Sequence, residues 1–199
     1  MQRIAADTGY FGDPIEALME DRNLFLDFFY RYYIDFEPEH LLIACVGSEV
    51  AGFLTGCTDT RRQRKLLGLK ILPGVFLGLL TGRYRFGPKA RRYVREMGKV
   101  ALSGEHTEPD VESYPAHLHI NVAETWRGHG LGRKLMSAYL DQLRALGLPG
   151  VHLETTDRNE VACRMYERFG FQLVAARSSD LWRFALGGPV EMRCYGLKL

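Results

Sequence analysis

What this chain lacks narrows it first. Only four cysteines occur in 199 residues (Cys45, Cys57, Cys163 and Cys194). They are far apart, form no C-x-x-C pair and have no histidine at metal-ligand spacing, which excludes a disulfide scaffold or a zinc knuckle as the organising device. Free thiols, no metal and a reducing, cytoplasmic setting are expected. Cys163 reads as packed, since no activating base accompanies it. No apolar run reaches the ~20 residues of a bilayer-spanning helix. The nearest, Leu66 to Leu80, is interrupted by Lys70 and Pro73, so no transmembrane segment is expected. Met1 to Tyr10 lacks a basic region followed by an apolar run, so no signal peptide is read there. With 46% hydrophobic residues there is no disorder signature, and a single domain over 1–199 can bury a full core.

Acid is scarce in one place. Between Arg61 and Lys99 stand twelve Lys or Arg against one acid, Glu96, whereas the whole chain carries a net charge of only +2. A strongly basic segment therefore sits on an acidic body.

In chain order, Asp13-Pro14 opens a helical pattern, with Pro suited to a first turn. Ile15 to Ile34 reads as helix, dense in aromatics (Phe25, Phe28, Phe29, Tyr32, Tyr33) that fill core or line a pocket. His40 to Val46 and Glu49 to Cys57 read as strands joined by a two-residue turn at Gly47-Ser48. Residues 59–113 contain an apolar stretch, Leu66 to Leu80, then an Arg-rich helical stretch, Arg83 to Leu102, then the polar loop 104–114. The last strands are Phe171 to Arg177 and Val190 to Leu199.

The centre of the chain is Pro115 to Lys134. Polar and apolar residues alternate from Ala116, placing His117, His119 and Asn121 on one strand face and Leu118, Ile120 and Val122 on the other. Arg127-Gly128-His129-Gly130-Leu131-Gly132 follows, then a helix with Leu131, Leu135, Tyr139, Leu143 and Leu146 on one stripe. Glycines at a helix start admit close backbone approach, and first-turn amides lack intrahelical partners, so the turn should bind an anion, most simply phosphate. It is neither a dinucleotide fingerprint nor a Walker loop, because both spacings fail. Downstream, Gly150 to Thr155 reads as a strand and Asp157 to Gly170 as a helix, with Asp157 and Glu160 at capping-box spacing.

The R-x-x-G-x-G of Arg127 to Gly132 resembles the pyrophosphate signature of the GNAT acetyltransferases. Asn159, Ala162, Tyr166, Gly170 and Phe171 resemble their second signature, in the right order and about 30 residues on. The resemblance firmly covers Tyr114 to Val174. It implies an α/β (α+β) fold: a mixed, mostly antiparallel sheet with a splayed centre, flanked by helices. Against that pattern the first strand looks truncated or missing, and 59–113 becomes a helical basic insertion between the family's third and fourth strands.

The resemblance further implies acetyl transfer from acetyl-CoA, as co-substrate, to a primary amine by direct attack in a ternary complex. Val122 and Glu124 would pair with the pantetheine through their backbone, and Gly128, His129, Gly130, Leu131, Gly132 and Arg133 would surround the pyrophosphate. Arg127 could pair a phosphate, and Asn159 would hydrogen-bond the pantetheine. Tyr166 would protonate the departing thiolate, and the Val122 N–H would serve the carbonyl oxygen. His117 and His119 resemble the H-x-H of aralkylamine N-acetyltransferases and are the candidate bases, His119 nearer the thioester; Glu124 and Glu112 are weaker candidates. The acceptor is a small-molecule or peptide amine, the protein a monomer or homodimer. For the basic insertion three readings stand: a packed lid, a selector of anionic acceptors, or a contact to nucleic acid or anionic membrane through 61–99. A non-catalytic acyl-CoA-binding regulatory module is the alternative from a different class.

Overall fold

The computed structural model describes residues 1–103, 107 and 109–199. Its centre is one six-stranded sheet in the order β1-β2-β3-β4-β6-β5. The strands are β1 (Leu41–Val46), β2 (Glu49–Cys57), β3 (Ala116–Val122), β4 (Gly150–Thr156), β5 (Gln172–Ser179) and β6 (Val190–Lys198). All neighbours run antiparallel except β3 and β4, which are parallel. The Gly47-Ser48 hairpin forms as expected, with Val46 opposite Glu49 and Gly47 at φ 58°. No strand precedes β1 among the described residues; the N-terminal segment is helical instead (α1, Gln2–Asp7), and β1 forms the sheet edge.

Helices cover both faces. On one side α7 (Leu131–Ala145) and α8 (Glu160–Arg168) bury Leu135, Met136, Tyr139, Leu140 and Leu143 against Leu54, Leu118, Val151, Leu153 and Tyr195. The expected stripe on α7 holds at Leu135, Tyr139 and Leu143 but not at Leu146, which is exposed. On the other side α1, α2 (Arg22–Phe29), α5 (Leu72–Leu80) and α6 (Pro88–Ser103) close over Phe53.

The expected single helix from Ile15 to Ile34 is three pieces: a 3₁₀ turn (Ile15–Ala17), α2 and α3 (Arg31–Phe36). Asp21 starts α2 as its cap, accepting the Asn23 and Leu24 amides at 2.8 and 3.1 Å, an arrangement worth about 1 kcal/mol. Tyr30, at φ −117°, ends it. Its ring turns inward onto Phe53, and its hydroxyl reaches Asn121 Oδ1 at 3.3 Å. Tertiary contact thus overrides helical periodicity there.

The insertion is helical between β2 and β3, as expected. A continuous helix of 60–80 comprises α4 (Thr60–Leu66), a π turn (Leu67–Ile71) and α5. The π turn is closed by the Leu72 amide on the Leu67 carbonyl. The second helix, α6, begins only at Pro88, because 81–87 turn the chain back. Acids of the body hold it there. Asp27 accepts from Tyr84 Oη at 2.6 Å and Arg83 at 2.9 Å, and Asp21 accepts the Arg85 amide at 2.8 Å. Glu20 takes the first-turn amides of Lys89 and Ala90 at 2.8 and 3.2 Å, so a carboxylate from another element caps α6. The expected loop 104–114 lies partly outside the described residues. No helix among the described residues is long and apolar enough to cross a membrane.

One side chain locks the middle of the sheet. The Tyr139 hydroxyl on α7 reaches the carbonyls of Cys57 and His117 at 3.0 and 3.1 Å, on adjacent strands. Room for the ring comes from Gly56, where a Cβ would stand 2.2 Å from it. Gly56→Ala should therefore cost about 1–3 kcal/mol by overpacking, and Tyr139→Phe about 1 kcal/mol through the lost hydroxyl. Urea unfolding of both variants checks the order: a Gly56→Ala variant as stable as the parent would mean the ring does not seat there.

Candidate active site

The parallel pair β3 and β4 is joined only at its start, Ala116 with Val151 and His117 with His152; beyond that the strands part. On its other edge β3 stays paired to β2 as far as Gly52 opposite Val122, and the Ala123 amide bonds Ala51 O at 2.9 Å. Antiparallel ladders alternate, so bonding at residue 123 directs the backbone groups of Val122 and Ile120 toward the gap. The centre of the sheet is therefore a slot with free hydrogen-bonding groups along one wall.

At the end of that slot sits the glycine turn. Gly128 and Gly130 have φ of 80° and 77°, a region that costs a residue with a Cβ about 1–2 kcal/mol. Gly130 is the N-cap of α7, and the first intrahelical bond is Lys134 N to Gly130 O at 3.1 Å. The amides of Leu131, Gly132 and Arg133 are thus left for a ligand, at the positive end of the helix dipole. The helix start leans closely on its neighbours: a Cβ on Gly132 would touch Met165 Sδ at 3.5 Å and both Ile120 and Val122 at 3.8 Å.

Slot and turn belong to one open cleft of about 1150 Å³, walled by Ile120, Asn121 and Val122 of β3, by Trp126 to Gly128 and Gly130 to Arg133 but not His129, and by residues of α8 and the turn before it, Asn159 and Tyr166 among them. The Trp126 indole N–H is buried there without a partner. The Tyr166 ring packs on Phe171 and Tyr195, and burial raises its pKa. Its hydroxyl bonds no described residue. Arg133, Arg158 and Arg168 add positive charge around the cleft, whereas Arg164 is paired with Glu160 at 3.0 Å.

Several expected site residues sit otherwise than the sequence suggests. Asn159, not Asp157, caps α8: its Oδ1 accepts the Ala162 amide at 3.4 Å, while Asp157 accepts the Glu191 amide at 3.0 Å on β6. The Asn159 amide group still faces the cleft wall. Arg127 donates to Gly12 O at 2.8 Å and Val122 O at 3.4 Å, tying the end of β3 to the N-terminal segment. His129 is exposed, its Nδ1–H donating to Arg127 O at 3.0 Å. Glu124 opens a 3₁₀ turn after β3 and is exposed. Glu112, the weaker base candidate, pairs with Arg61 on the surface.

His117 and His119 point to the strand face away from α7 and do not line the cleft, whereas Asn121, two residues on, does. They belong to a directed chain of hydrogen bonds. Thr60 Oγ1 gives its proton to Pro115 O at 2.7 Å, so it must accept from His117 Nδ1–H, also at 2.7 Å. His117 Nε2 then accepts from the Tyr33 hydroxyl at 2.8 Å, and that oxygen accepts from His119 Nε2–H at 2.9 Å. This fixes both tautomers and leaves His119 Nδ1 as the acceptor nitrogen without a partner. His117 is buried and has no nitrogen to spare; His119 is open to solvent. Tyr33 and Thr60 join the histidines only through tertiary contact, as do Thr8, Phe11 and Gly12, which border the cleft from the N-terminal segment.

Among the described residues no group of three His, Cys, Asp or Glu could hold a metal. The four cysteines are free, and Cys163 is buried with its thiol toward Thr156 O at 3.7 Å.

A mixed sheet parted at its parallel pair, beside a helix mouth of unpartnered amides, defines an α/β protein with an open cleft at the centre of its sheet. Comparison with known proteins shows what it is similar to. Residues 82–171 match the Acetyltransferase (GNAT) family. A mycothiol acetyltransferase of Nocardiopsis dassonvillei is 48% identical over 54 residues, 27% of this chain and 16% of that protein. The crystal structure of SsHAT superposes with a TM-score of 0.73 at 27% identity, over 99% of this chain and 91% of that one. An acetyltransferase from Bacillus anthracis, solved with acetyl coenzyme A, shares the fold at TM-score 0.51 and 17% identity, over 88% and 70%. This chain spans less than two thirds of the length of the curated relatives it matches. Over residues 82–171, just under half of its length, the chain is therefore similar to the GNAT acetyltransferases.

Burial holds His117 and His152 below the ordinary histidine pKa, with nearby positive charge adding to it, from His119, His152 and Arg64 at His117 and from Arg64 at His152. The unfolded chain therefore binds more protons than the folded one from the ordinary histidine range near ~6.5 downward, and stability falls as pH falls through that window. The carboxylates with lowered pKa, Glu16, Glu20, Glu96 and Asp110, act the same way but only below their ordinary range near ~4. Urea unfolding between about pH 7 and 5 should show stability declining by up to one proton's slope for each of these two buried histidines, with His152→Gln removing one share. A flat profile would mean the imidazoles protonate freely in the fold.

Proposed function

We propose that this chain transfers an acetyl group from acetyl-coenzyme A to a primary amine, by direct attack while both are bound. The observation that supports this reading best is the parting of β3 and β4 beside the glycine turn. A slot with unpaired backbone groups suits the two amides of a pantetheine arm, and three free helix amides suit its diphosphate. The arginines at 133, 158 and 168 supply counter-charge. The residues present thus fit coenzyme A.

When bound, acetyl-CoA supplies a thioester carbon open to an amine. The protein must do three things around it. A base must relieve the amine of its proton. In our reading His119 Nδ1 takes it, because it is the free acceptor of the chain and is open to solvent on the face of β3 away from α7, from which the amine would approach. His117 acts behind it as a positioning residue: through Tyr33 it fixes the tautomer that leaves His119 Nδ1 bare. The carbonyl oxygen needs a donor as charge gathers on it, and the Val122 N–H, directed into the slot, is the natural one. The departing sulfur needs a proton, and the free Tyr166 hydroxyl delivers it; burial raises its pKa and keeps it protonated until then. Asn159 and the backbone of Val122 and Glu124 hold the pantetheine, while the amides of Gly128 to Arg133 hold the diphosphate. The acceptor is a small-molecule or peptide amine.

Two measurements test this. Coenzyme A release, followed with a thiol-reactive dye over a panel of primary amines, should show turnover. Tyr166→Phe should lower kcat by roughly 10²- to 10⁴-fold while calorimetric binding of coenzyme A is unchanged; a loss under about threefold would remove Tyr166 from proton delivery. Tyr33→Phe breaks the relay without touching either histidine, and should shift the pH profile of kcat while leaving coenzyme A affinity alone. Tight coenzyme A binding with no thiol released from any amine would point instead to a non-catalytic acyl-CoA-binding module.

A further inference from the structure

The helix of 60–80 turns its charge-free half outward. From Ile71 to Gly82 it carries no charged side chain. Its body-facing positions are filled, with Ile71, Val75 and Gly78 buried. The opposite positions are Leu69, Leu72, Phe76, Leu77 and Leu80, which stand 62, 40, 62, 61 and 69% exposed. A helix on a water-facing surface would carry polar residues there. Large apolar side chains in one row make an interaction surface instead. Behind them, between α2, α5 and α6, opens an apolar recess of about 310 Å³ walled by Phe28, Phe29, Phe76, Tyr93, Val94 and Met97.

Along the chain this patch is flanked by basic residues, with no acid between Arg61 and Arg85. Arg61, Arg62, Arg64, Lys65 and Lys70 precede it, Arg83 and Arg85 follow it, and Arg91, Arg92 and Arg95 stand on the neighbouring helix. Part of this charge is internally satisfied: Arg61 by Glu112, Arg83 by Asp27, Arg95 by Glu96. Lys65, Lys70, Arg85 and Arg91 meet no carboxylate within ion-pair reach among the described residues. The acids nearest the insertion, Glu20, Asp21 and Asp27, are turned onto its amides and side chains.

We propose that this face docks the protein on an anionic phospholipid bilayer, with the α5 row lying in the interface and the basic rim on the headgroups. The combination selects that occupant. Nucleic acid would satisfy the cations but leave Leu69, Phe76, Leu77 and Leu80 in water. A second copy meeting the same face across a two-fold axis would set one basic rim against the other. A bilayer surface offers apolar depth and negative charge together, and long cationic side chains reach its headgroups from a partly immersed helix.

The test is co-sedimentation of the full chain with vesicles of phosphatidylglycerol mixed with phosphatidylcholine, against phosphatidylcholine alone. Partitioning should be at least about tenfold stronger on the anionic vesicles and fall with salt. Leu69→Gln with Leu77→Gln and Leu80→Gln, all outside the recess, should cut it about tenfold or more with the unfolding midpoint preserved. Lys65→Gln with Lys70→Gln and Arg85→Gln should abolish the preference for anionic lipid, and tests the same claim should the leucine variant fold poorly. Absence of binding to anionic vesicles at low salt overturns the proposal. So does binding to duplex DNA that the leucine variant retains while vesicles are ignored, and so does a dimer that the leucine variant dissolves without any vesicle binding.

Discussion

The structure depends on a pairing that is begun and abandoned. β3 and β4 share two residue pairs and then separate, although each keeps its other neighbour. A sheet normally cannot leave backbone groups unpaired in its interior, because each buried orphan costs about 1–3 kcal/mol. Here the cost is tolerable because the parted edges open into a wide cleft. What holds the parting in place lies elsewhere: α7 and α8 wedge against both strands on one face, and the Arg127 guanidinium ties the free end of β3 to Gly12. The same helix that wedges the strands also presents its unpartnered amides to the cleft, so the frame and these open donors are one element.

On the opposite face the polar groups are arranged with little slack. His117 spends both ring nitrogens, and Tyr33 and Thr60 each give one proton and receive another. A second chain runs parallel to it, from Tyr30 through Asn121 to Thr8 and on to Ile4 O. Fully satisfied networks of this kind specify side-chain orientation more than they add stability. The first leaves only His119 Nδ1 open, and the second passes through Asn121, which borders the cleft.

How much of this could be read from the sequence depended on whether the signal was local. The glycine turn, the β3 alternation and the β1–β2 hairpin are dictated by neighbours in the chain, and they stand where the pattern put them. The split of 15–34 into three pieces was not legible, because Tyr30 leaves its helix for a contact with Phe53 and Asn121 far along the chain. Asn159 carried two readings, a ligand for pantetheine and a helix cap, and capping-box spacing favoured Asp157 for the second; competition from the Glu191 amide on β6 decides otherwise. Tyr33 was read only as one ring among several, since nothing near it in sequence announces the histidines it joins. The basic run of 61–99 was plain from composition, but that body acids would cap and anchor it was not.

The π turn at Leu67–Ile71 has a consequence for how this insertion can vary. A π turn accommodates one residue more than the α-helix it interrupts. Deleting one residue there would restore regular winding and leave the turns on either side in their present register. Val75 would stay against the body, and the row from Leu72 to Leu80 would keep the side it now faces. A second deletion would find no such slack and would rotate everything beyond by about 100° about the axis, so this segment tolerates the loss of one residue but not of two.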